Sequence, residues 1–328
     1  MGAAGTSGSQ ATEGLVPPLL CCSVRRMRVV KLHNDEVDID EVLVRRLLGA
    51  QMPQWAALPL HLVDPAGTDN VMIRLGGTLV VRLPRTASAA AGVDKEQRLV
   101  PRLAPLLPVA VPAPVGFGVP DAGYPWHWPV SPWLAGLPAT PGAADGRLAV
   151  QLAEFVTALR TIDTFGLAAE GSLHSYRADP LARRDEDTRD CIEQCRDLLD
   201  ISRVTAAWDQ AVDVEDYTGQ PVWMHADLQP GNILIGEGRL SAVIDWGGLA
   251  LGDPAIDGLV AWTLLTPSTR PTFRSRVDVD DATWTRSRAW ALSIALVALP
   301  YYVHSNRQIT AWARHTITRS FGTSRAAR

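Results

Sequence analysis

The feature that most constrains this 328-residue chain is a set of polar residues between His225 and Asp245. Asp227 lies two positions after His225, Asn232 five positions after that Asp, and Asp245 thirteen positions after the Asn. Two short apolar runs joined by a Gly-Glu-Gly turn separate Asn232 from Asp245, which predicts a tight hairpin. Antiparallel pairing would bring these two residues together. The alternative is an ordinary surface hairpin, in which Asp and Asn are incidental turn residues without a function.

These residue types suit one kind of chemistry. Phosphoryl transfer from a nucleotide needs a carboxylate that accepts a hydroxyl proton and oxygen ligands that hold Mg²⁺ against the phosphates. Asp227 is the candidate base, and Asn232 and Asp245 are the candidate metal ligands. His225 completes the catalytic set, and we expect it to support the loop because Asp227 already serves as the base.

The segment from His225 to Trp246 resembles the catalytic core of the aminoglycoside phosphotransferase family, kinase-like proteins that include macrolide, hygromycin and choline kinases. Protein kinases carry a related pattern, His-Arg-Asp followed by Asp-Phe-Gly. Gly252–Asp257 also matches the family segment Gly-Asp-Pro-x-x-Asp. The resemblance covers residues 60–300 and implies an α+β, bilobal, protein-kinase-like fold with a small β-rich N-lobe and a larger, mainly helical C-lobe. It also implies ATP or GTP as phosphate donor, Mg²⁺, and a small-molecule hydroxyl acceptor.

The rest of the sequence can be divided along these lines. Residues 1–25 are rich in Gly, Ala and Ser and are expected to be disordered. Residues 26–130 are expected to form the nucleotide-covering N-lobe, and residues 131–328 the C-lobe with the catalytic loop, metal site and acceptor pocket. Apolar alternation predicts three N-lobe strands, at residues 60–63, 71–75 and 78–83.

The phosphate-contacting residue departs from the family pattern. The resembled fold places a Lys on an N-lobe strand, paired with a Glu on the next helix, but the lysines of this chain are Lys31 and Lys95 and neither fits a strand. Arg82 does fit, with Glu96 as its partner, although an Arg on the exposed face of a half-buried strand has the same pattern. The loop with Thr68 is expected to cover the phosphates, and an ordinary turn fits it equally.

The residues that bind the nucleobase are the hardest to identify from the sequence. Pro101–Pro120 is too proline-dense for regular elements other than one strand near residues 115–119. Trp126–Leu134 then resembles the final N-lobe strand and the hinge. Backbone groups around Ser131 and Trp133 are therefore the candidates for binding the base.

Composition excludes several classes of protein. Apolar residues make up 47% of the chain and the formal net charge is -4, so the charge expected of a nucleic-acid-binding surface is missing. The longest apolar run, Ala289–Val303, is shorter than the roughly 20 residues that span a bilayer and contains Pro300, which predicts a buried helix. The four cysteines lack disulfide or zinc spacing, which favours a reducing cytoplasm. The sequence does not determine an oligomeric state.

Two segments give opposite indications of the kind of acceptor. Residues 179–216 carry twelve Asp and Glu against five Arg, which suits either a polycationic aminoglycoside or a solvated helical insert. Residues 258–328 carry ten Arg and three Asp together with several Trp and Tyr. Such a segment suits a macrolide, a nucleoside-like molecule or another alcohol with an apolar face.

The sequence therefore predicts a small-molecule phosphotransferase, most simply one acting on aminoglycoside- or macrolide-type antibiotics. A kinase of a choline- or sugar-like endogenous metabolite is an open alternative, as is a nucleotide-binding pseudokinase, because Arg82 replaces Lys. A protein kinase is disfavoured, since the short spacing from Asp245 to Gly252 leaves no room for a regulated activation loop.

Overall fold

The computed structural model describes residue 31 and residues 36–63 and 69–321. The expected N-terminal extension, residues 1–25, and Thr68 lie outside the described residues. Buried apolar side chains form two separate clusters, one drawn from residues 39–130 and one from residues 99–317. A small sheet-containing lobe and a larger helical lobe follow from these two cores, which confirms the predicted α+β, kinase-like fold.

The N-lobe is built on a five-stranded antiparallel sheet with the order β1-β2-β3-β5-β4. Its elements are α1 (Glu41–Gln51), β1 (Leu60–Leu62), β2 (Asn70–Leu75), β3 (Leu79–Pro84), α2 (Ala87–Ala90), α3 (Val93–Leu103), β4 (Gly116–Gly118) and β5 (Trp128–Pro132). The three predicted strands correspond to β1, β2 and β3. Gly76, with φ +61°, lies in the tight turn between β2 and β3, a conformation that glycine adopts without strain. The last strand ends at Pro132, two residues after the predicted lobe boundary.

The proline-rich segment is more regular than its sequence predicts. Helix α3, the helix expected to carry Glu96, continues through Pro101 to Leu103 and so includes the first three residues of this segment. Pro101 removes one backbone donor, but Leu99, Val100 and Leu103 are fully buried along one face and hold the last turn against the core. The strand expected near residues 115–119 is confirmed as β4.

The C-lobe is mainly helical with two small sheets, β6-β8-β9 and β10-β7. Its elements are β6 (Leu137–Pro138), α4 (Gly146–Thr161), α5 (Asp185–Gln194), α6 (Ile201–Val212), β7 (Val222–Met224), β8 (Ile233–Gly236), β9 (Arg239–Val243), β10 (Ala250–Gly252), α7 (Val260–Thr263), α8 (Arg270–Val277), α9 (Asp281–Tyr302) and α10 (Arg307–Ser320). The predicted hairpin is β8-β9, and Glu237 and Gly238 at its turn both have positive φ.

Helix α9 is the longest element of the C-lobe and packs against α5, α6 and α10. It contains the apolar run predicted as a buried helix and passes through Pro300 in its last turn. That prediction was wrong for part of one face, because Val297 and Tyr301 are exposed. Within the described part of the chain, no helix is long and apolar enough to cross a membrane.

Candidate active site

The β8-β9 hairpin brings the two predicted metal ligands together. Ile233 pairs with Val243, and the N–H of Ile244 donates to the carbonyl of Asn232 at 2.9 Å. Asn232 therefore precedes the first strand and Asp245 follows the second at the same end of the hairpin. Asp245 has φ 65°, a left-handed conformation that costs free energy in a non-glycine residue and is often found at functional sites.

The carboxylate of Asp227 is fixed from two sides. Asn232 Nδ2 donates to the backbone oxygen and to Oδ2 of Asp227, both at 2.9 Å. Arg177 Nη1 donates to Oδ1 of Asp227 at 2.6 Å and also to the carbonyl of Ala226. The structure therefore holds the candidate base in one orientation through both of its oxygens. It also leaves Oδ1 of Asn232 as the atom available to a cation.

The loop that carries Asp227 is itself anchored by Asp257. The N–H groups of His225 and Ala226 each donate to one oxygen of this buried carboxylate at 2.8 Å. Burial raises the pKa of Asp257 to about 7, and the two hydrogen bonds oppose this rise. Ala226 has φ 65°, so the anchor also holds a strained residue in place.

Asp253, the other Asp of the matched segment Gly252–Asp257, contacts different partners. Its side chain caps the turn that begins at Pro254 by accepting from the N–H of Ala255, and it also accepts from Arg286 Nε at 2.7 Å. Bracing of the loop by direct contact is thus provided by Asp257, whereas Asp253 fastens the following segment to α9.

His225 is placed as a structural support. Its Nε2 lies 3.1 Å from the carbonyl of Ile244, and its Nδ1 accepts from the N–H of Asp227 at 3.2 Å. These contacts occupy both ring nitrogens and select the neutral tautomer with the proton on Nε2. Burial lowers the pKa of His225 to about 4. A neutral ring with both nitrogens engaged suits the predicted supporting role.

The surroundings of Asp245 fit a divalent cation. Burial and then the charge of Asp227 raise the pKa of Asp245 to about 6, with a further contribution from Glu96 and partial compensation by Arg82. The carboxylates of Asp227, Glu96 and Asp69 thus act on Asp245 against the single positive contribution of Arg82, while the guanidinium of Arg177 is paired with Asp227. Carboxylate and amide oxygens are the protein ligands that Mg²⁺ takes, and its charge would offset the excess of negative charge. Asn232 and Asp245 are the residues that would hold it.

The ion pair predicted between Arg82 and Glu96 is present. Arg82 Nη2 lies 2.7 Å from Glu96 Oε1, and the side chain of Arg82 is only 14% exposed, so its reading as a surface residue was wrong. Burial opposes the charge on Arg82, but Glu96 and then Asp245 outweigh it and raise the pKa. Its Nε is buried and finds no acceptor among the described residues. The pair therefore lies within electrostatic reach of Asp245 and leaves the Nε donor of Arg82 unused.

The two hinge candidates lie in the N-lobe sheet. Ser131 is a buried residue of β5, paired with Val80 of β3, and the N–H of Trp133 donates to the carbonyl of Thr78 at 2.8 Å. Pairing with β3 thus continues further along the chain than the sequence predicts. The N–H of Trp133 is consequently not available to a nucleobase.

Sequence reasoning missed Arg177, whose contact with Asp227 spans fifty residues of chain. It lies in the short 3₁₀ turn Tyr176–Ala178, between α4 and α5. Its Nε donates to the hydroxyl of Tyr176 at 3.0 Å. No motif marks this Arg, and only the packing of the turn beside β10 brings it to the catalytic loop.

Five of the twelve acidic residues of the segment 179–216 form ion pairs with arginines of the same segment. Arg189 contacts both Asp185 and Asp209, at 2.9 and 2.8 Å, and Arg184 contacts Asp187 at 2.8 Å. Trp208 Nε1 also donates to Asp185 at 2.7 Å. These contacts agree with the reading of α5 and α6 as a solvated helical insert.

The comparisons with known proteins agree with this geometry. A family model described as the phosphotransferase enzyme family matches residues 62–290. No curated protein matches the chain significantly.

Several solved structures share the fold. The GDP and kanamycin complex of APH(2")-IIia is 22% identical, with a TM-score of 0.66, and the match covers 84% of this chain and 96% of that one. The macrolide 2'-phosphotransferase MphH from Brachybacterium faecium is 22% identical, with a TM-score of 0.59 over 84% of this chain and 98% of its own. ADP-bound APH(2'')-Ib, an aminoglycoside phosphotransferase, is 16% identical, with a TM-score of 0.58 over 87% of this chain and 100% of its own.

The family model covers more than half of the chain, including the anchored loop, the hairpin and the Arg82–Glu96 pair. The solved structures share the overall fold of this chain. The chain therefore belongs to the phosphotransferase enzyme family.

Proposed function

We propose that this protein transfers the γ-phosphoryl group of ATP or GTP to a hydroxyl group of a small molecule, of the aminoglycoside or macrolide type. The observation that carries the proposal is the network around Asp227. Its carboxylate is held by Asn232 at 2.9 Å and by Arg177 at 2.6 Å, beside the buried carboxylate of Asp245. Membership of the phosphotransferase enzyme family supports the same reaction class.

Asp227 is proposed to orient the acceptor hydroxyl and to accept its proton. A bond forms between the acceptor oxygen and the γ-phosphorus as the bond from that phosphorus to the β-γ bridging oxygen breaks. The electron pair of that bond leaves with the nucleoside diphosphate, and the proton passes to Asp227. In a loose transition state the proton moves late, so positioning of the hydroxyl matters more than the strength of the base.

The nucleotide side is assigned to Arg82, Glu96, Asn232 and Asp245. Arg82, oriented by Glu96 at 2.7 Å, would contact the phosphates and give its unused Nε an acceptor. Mg²⁺ held by Asn232 and Asp245 would neutralise charge on the phosphates. GDP and ADP in the solved relatives support a nucleotide as the donor.

The test is Mg²⁺-dependent nucleotide turnover, with ATP and GTP in parallel, against aminoglycosides, macrolides, hygromycin-type cyclitols, choline and small sugars. Turnover stimulated by one acceptor class supports the proposal and identifies that class. Stimulation by choline or a sugar alone would favour a metabolite kinase. Nucleotide binding without turnover in any condition would favour the pseudokinase reading and contradict the proposal.

A further inference from the structure

Helix α3 lies between two N-lobe strands in the chain, but its apolar face belongs to the core of the C-lobe. Leu99, Val100 and Leu103 are buried, and all three are members of the C-lobe cluster. Among the described residues, the N-lobe cluster contains no member of α3. Burial of apolar surface, the dominant favourable term in packing, therefore fixes this helix to the C-lobe.

The chain that follows α3 continues along the C-lobe. The carbonyl of Ala110 accepts from the N–H of Val243 at 3.0 Å, and the N–H of Ala110 donates to the carbonyl of Ser241 at 3.4 Å. These bonds join Ala110 to β9, the second strand of the catalytic hairpin, as a parallel bridge. Residues 93–111, here called the α3 segment, therefore contact the C-lobe through the helix and through the chain after it.

Polar contacts of α3 also reach the C-lobe. Arg98 pairs with Glu170 at 2.5 Å, and the guanidinium of Arg102 lies 3.9 Å from the centre of the Phe165 ring. Both partners belong to the loop that follows α4. Exposed ion pairs contribute little free energy by themselves, so these contacts orient a helix that its apolar face already holds.

The first turn of α3 lies over the segment that follows Asp245. The Oε1 atom of Glu96 is 3.5 Å from the position that a Cβ of Gly247 would occupy. A Cβ at Gly92 would approach the carbonyl oxygen of Gly247 to 3.2 Å, closer than an ordinary van der Waals contact. Helix α3 thus packs closely on the 3₁₀ turn Trp246–Gly248, and C-lobe elements hold Glu96 beside the proposed metal site.

Two polar contacts connect α3 to the N-lobe. Glu96 pairs with Arg82 of β3 at 2.7 Å, and Asp94 lies 2.5 Å from Nδ1 of His127, which precedes β5. The second contact is exposed, with 67% of the Asp94 side chain accessible. These contacts with the N-lobe are polar, whereas the buried apolar face of the helix contacts the C-lobe.

We propose that the α3 segment moves with the C-lobe, so that Arg82 and Glu96 face each other across the boundary between the two moving parts. Opening of the cleft then separates Arg82 from Glu96, and closure joins them and completes the phosphate-binding site. Glu96 acts as a positioning residue, because it fixes the guanidinium of Arg82 once the lobes close. The nucleotide part of this inference rests on the proposed function, whereas the assignment of α3 to the C-lobe does not.

The assignment of α3 is tested on the full chain without nucleotide, by hydrogen exchange with mass spectrometry at moderate urea concentrations. Leu99→Ala and Leu83→Ala are a matched pair, because both leucines are fully buried, one in each core. Leu99→Ala should accelerate exchange in α3, α4 and the β8-β9 hairpin by about tenfold or more, since the cavity destabilises the unit around it. Exchange in β2 and β3 should stay close to that of the wild type. Leu83→Ala should show the reverse pattern.

Two outcomes of the exchange experiment would overturn the inference. Faster exchange in β2 and β3 than in α4 on Leu99→Ala would assign α3 to the N-lobe. Equal acceleration of both lobes in either variant would mean that the chain opens as one unit, with no boundary between Arg82 and Glu96.

The movement is tested by double electron–electron resonance in a variant whose four cysteines are replaced by alanine. One spin label is attached through Gln97→Cys at an exposed position of α3, and the other through His61→Cys in β1 or Glu154→Cys in α4. Addition of Mg²⁺ and a non-hydrolysable ATP or GTP analogue should change the distance from residue 97 to residue 61 by more than about 2 Å. The distance from residue 97 to residue 154 should stay constant.

The opposite pattern, or two constant distances at saturating nucleotide, overturns the inference and leaves the proposed function intact. Absence of nucleotide binding in a calorimetric titration of the wild type contradicts the proposed function instead. The exchange pattern then decides the assignment of α3 by itself, because that experiment uses no nucleotide.

Discussion

The catalytic hairpin and the acceptor side of the same cleft are assembled in different ways. In the hairpin, Asp227, Asn232 and Asp245 lie within about twenty residues and are joined by short hydrogen bonds of the loop and strands. On the acceptor side, Arg177 reaches Asp227 across fifty residues, and Tyr176 packs against Trp290 of a distant helix. The residues proposed for the reaction are thus brought together by local structure, whereas those of the proposed acceptor side depend on tertiary packing.

The largest effect is expected in the hairpin. Asp227→Ala should lower kcat by about 1000-fold, the order of magnitude contributed by a positioned general base. Binding of Mg²⁺ and nucleotide should remain close to that of the wild type, because Asp227 is not assigned to the metal. Single-turnover kinetics and nucleotide titration measure the two quantities separately.

Asp190→Ala on α5 is the control, because Asp190 is an exposed carboxylate of the acidic segment. Its kcat should match that of the wild type. A loss of nucleotide binding in Asp227→Ala that parallels the loss of kcat would assign Asp227 to the metal site, and would remove the distinction between base and ligands within the hairpin.

The locally encoded part of the site could be predicted from the sequence because spacing and turn residues determine the hairpin. Its two strands, the Gly-rich turn and the pairing that joins Asn232 to Asp245 all follow from residues 225–245. The pairing of Arg82 with Glu96 was implied by the resemblance to the kinase-like family, which places such a pair on an N-lobe strand and a following helix. Arg177 was not, because nothing in its neighbouring sequence indicates which loop its turn packs against.

Arg177 is distant from Asp227 in sequence but is expected to contribute to the reaction by positioning its carboxylate. Arg177→Met should lower kcat by about 10- to 100-fold, because Oδ1 of Asp227 loses a charge-assisted hydrogen bond that fixes its orientation. Nucleotide affinity should change little. Arg177→Lys should recover part of kcat, since it restores the positive charge but lacks the planar guanidinium, whose Nε also donates to the hydroxyl of Tyr176.

A purely structural role for Arg177 would give a different result. Both variants would then show lower thermal stability with kcat per folded molecule unchanged. Recovery of kcat by Lys at equal stability distinguishes positioning of Asp227 from support of the turn.

A smaller effect is expected for His225, which supports the loop that carries Asp227. His225 is fully buried, and its pKa is lowered to about 4 from the ordinary value of 6.5, so folding favours the neutral ring. The contribution of the neutral ring to the free energy of unfolding is fully present above pH 6.5 and is lost as the pH falls towards 4. The advantage of the wild type over His225→Gln in free energy of unfolding should shrink by about 2 kcal/mol between pH 7 and pH 4.5.

Urea denaturation of both proteins at several pH values measures this difference. Asp257, whose pKa is raised to about 7, has the opposite effect on stability with pH, but it is present in both proteins and its contribution largely cancels. A difference that stays constant with pH would mean that the pKa of His225 in the folded protein is close to its ordinary value.

The acidic segment and α9 show what composition alone leaves undetermined. Twelve acidic residues in 179–216 suggest a surface for a polycation, but Arg184 and Arg189 from the same segment pair with three of them. The apolar run in α9 predicts a wholly buried helix, but the fold leaves Val297 and Tyr301 uncovered. In both cases net composition records which groups are present, and the partner that neutralises or covers each group is fixed only by packing.

The smallest effect is expected from restoring the family's Lys at Arg82. Arg82→Lys keeps a positive charge beside Glu96 but removes the buried Nε, which finds no acceptor among the described residues. An unsatisfied buried donor destabilises the unliganded protein, so the melting temperature of the variant should be unchanged or slightly higher. Nucleotide affinity should fall about threefold, because the phosphate loses one of two donors at a single site. Tighter nucleotide binding by the Lys variant, measured by titration at fixed Mg²⁺, would contradict the assignment of Nε to the phosphate. Nucleotide binding at residue 82 would then depend only on a positive charge. Directional hydrogen bonding by an arginine would be required at Arg177 beside Asp227, but not at Arg82.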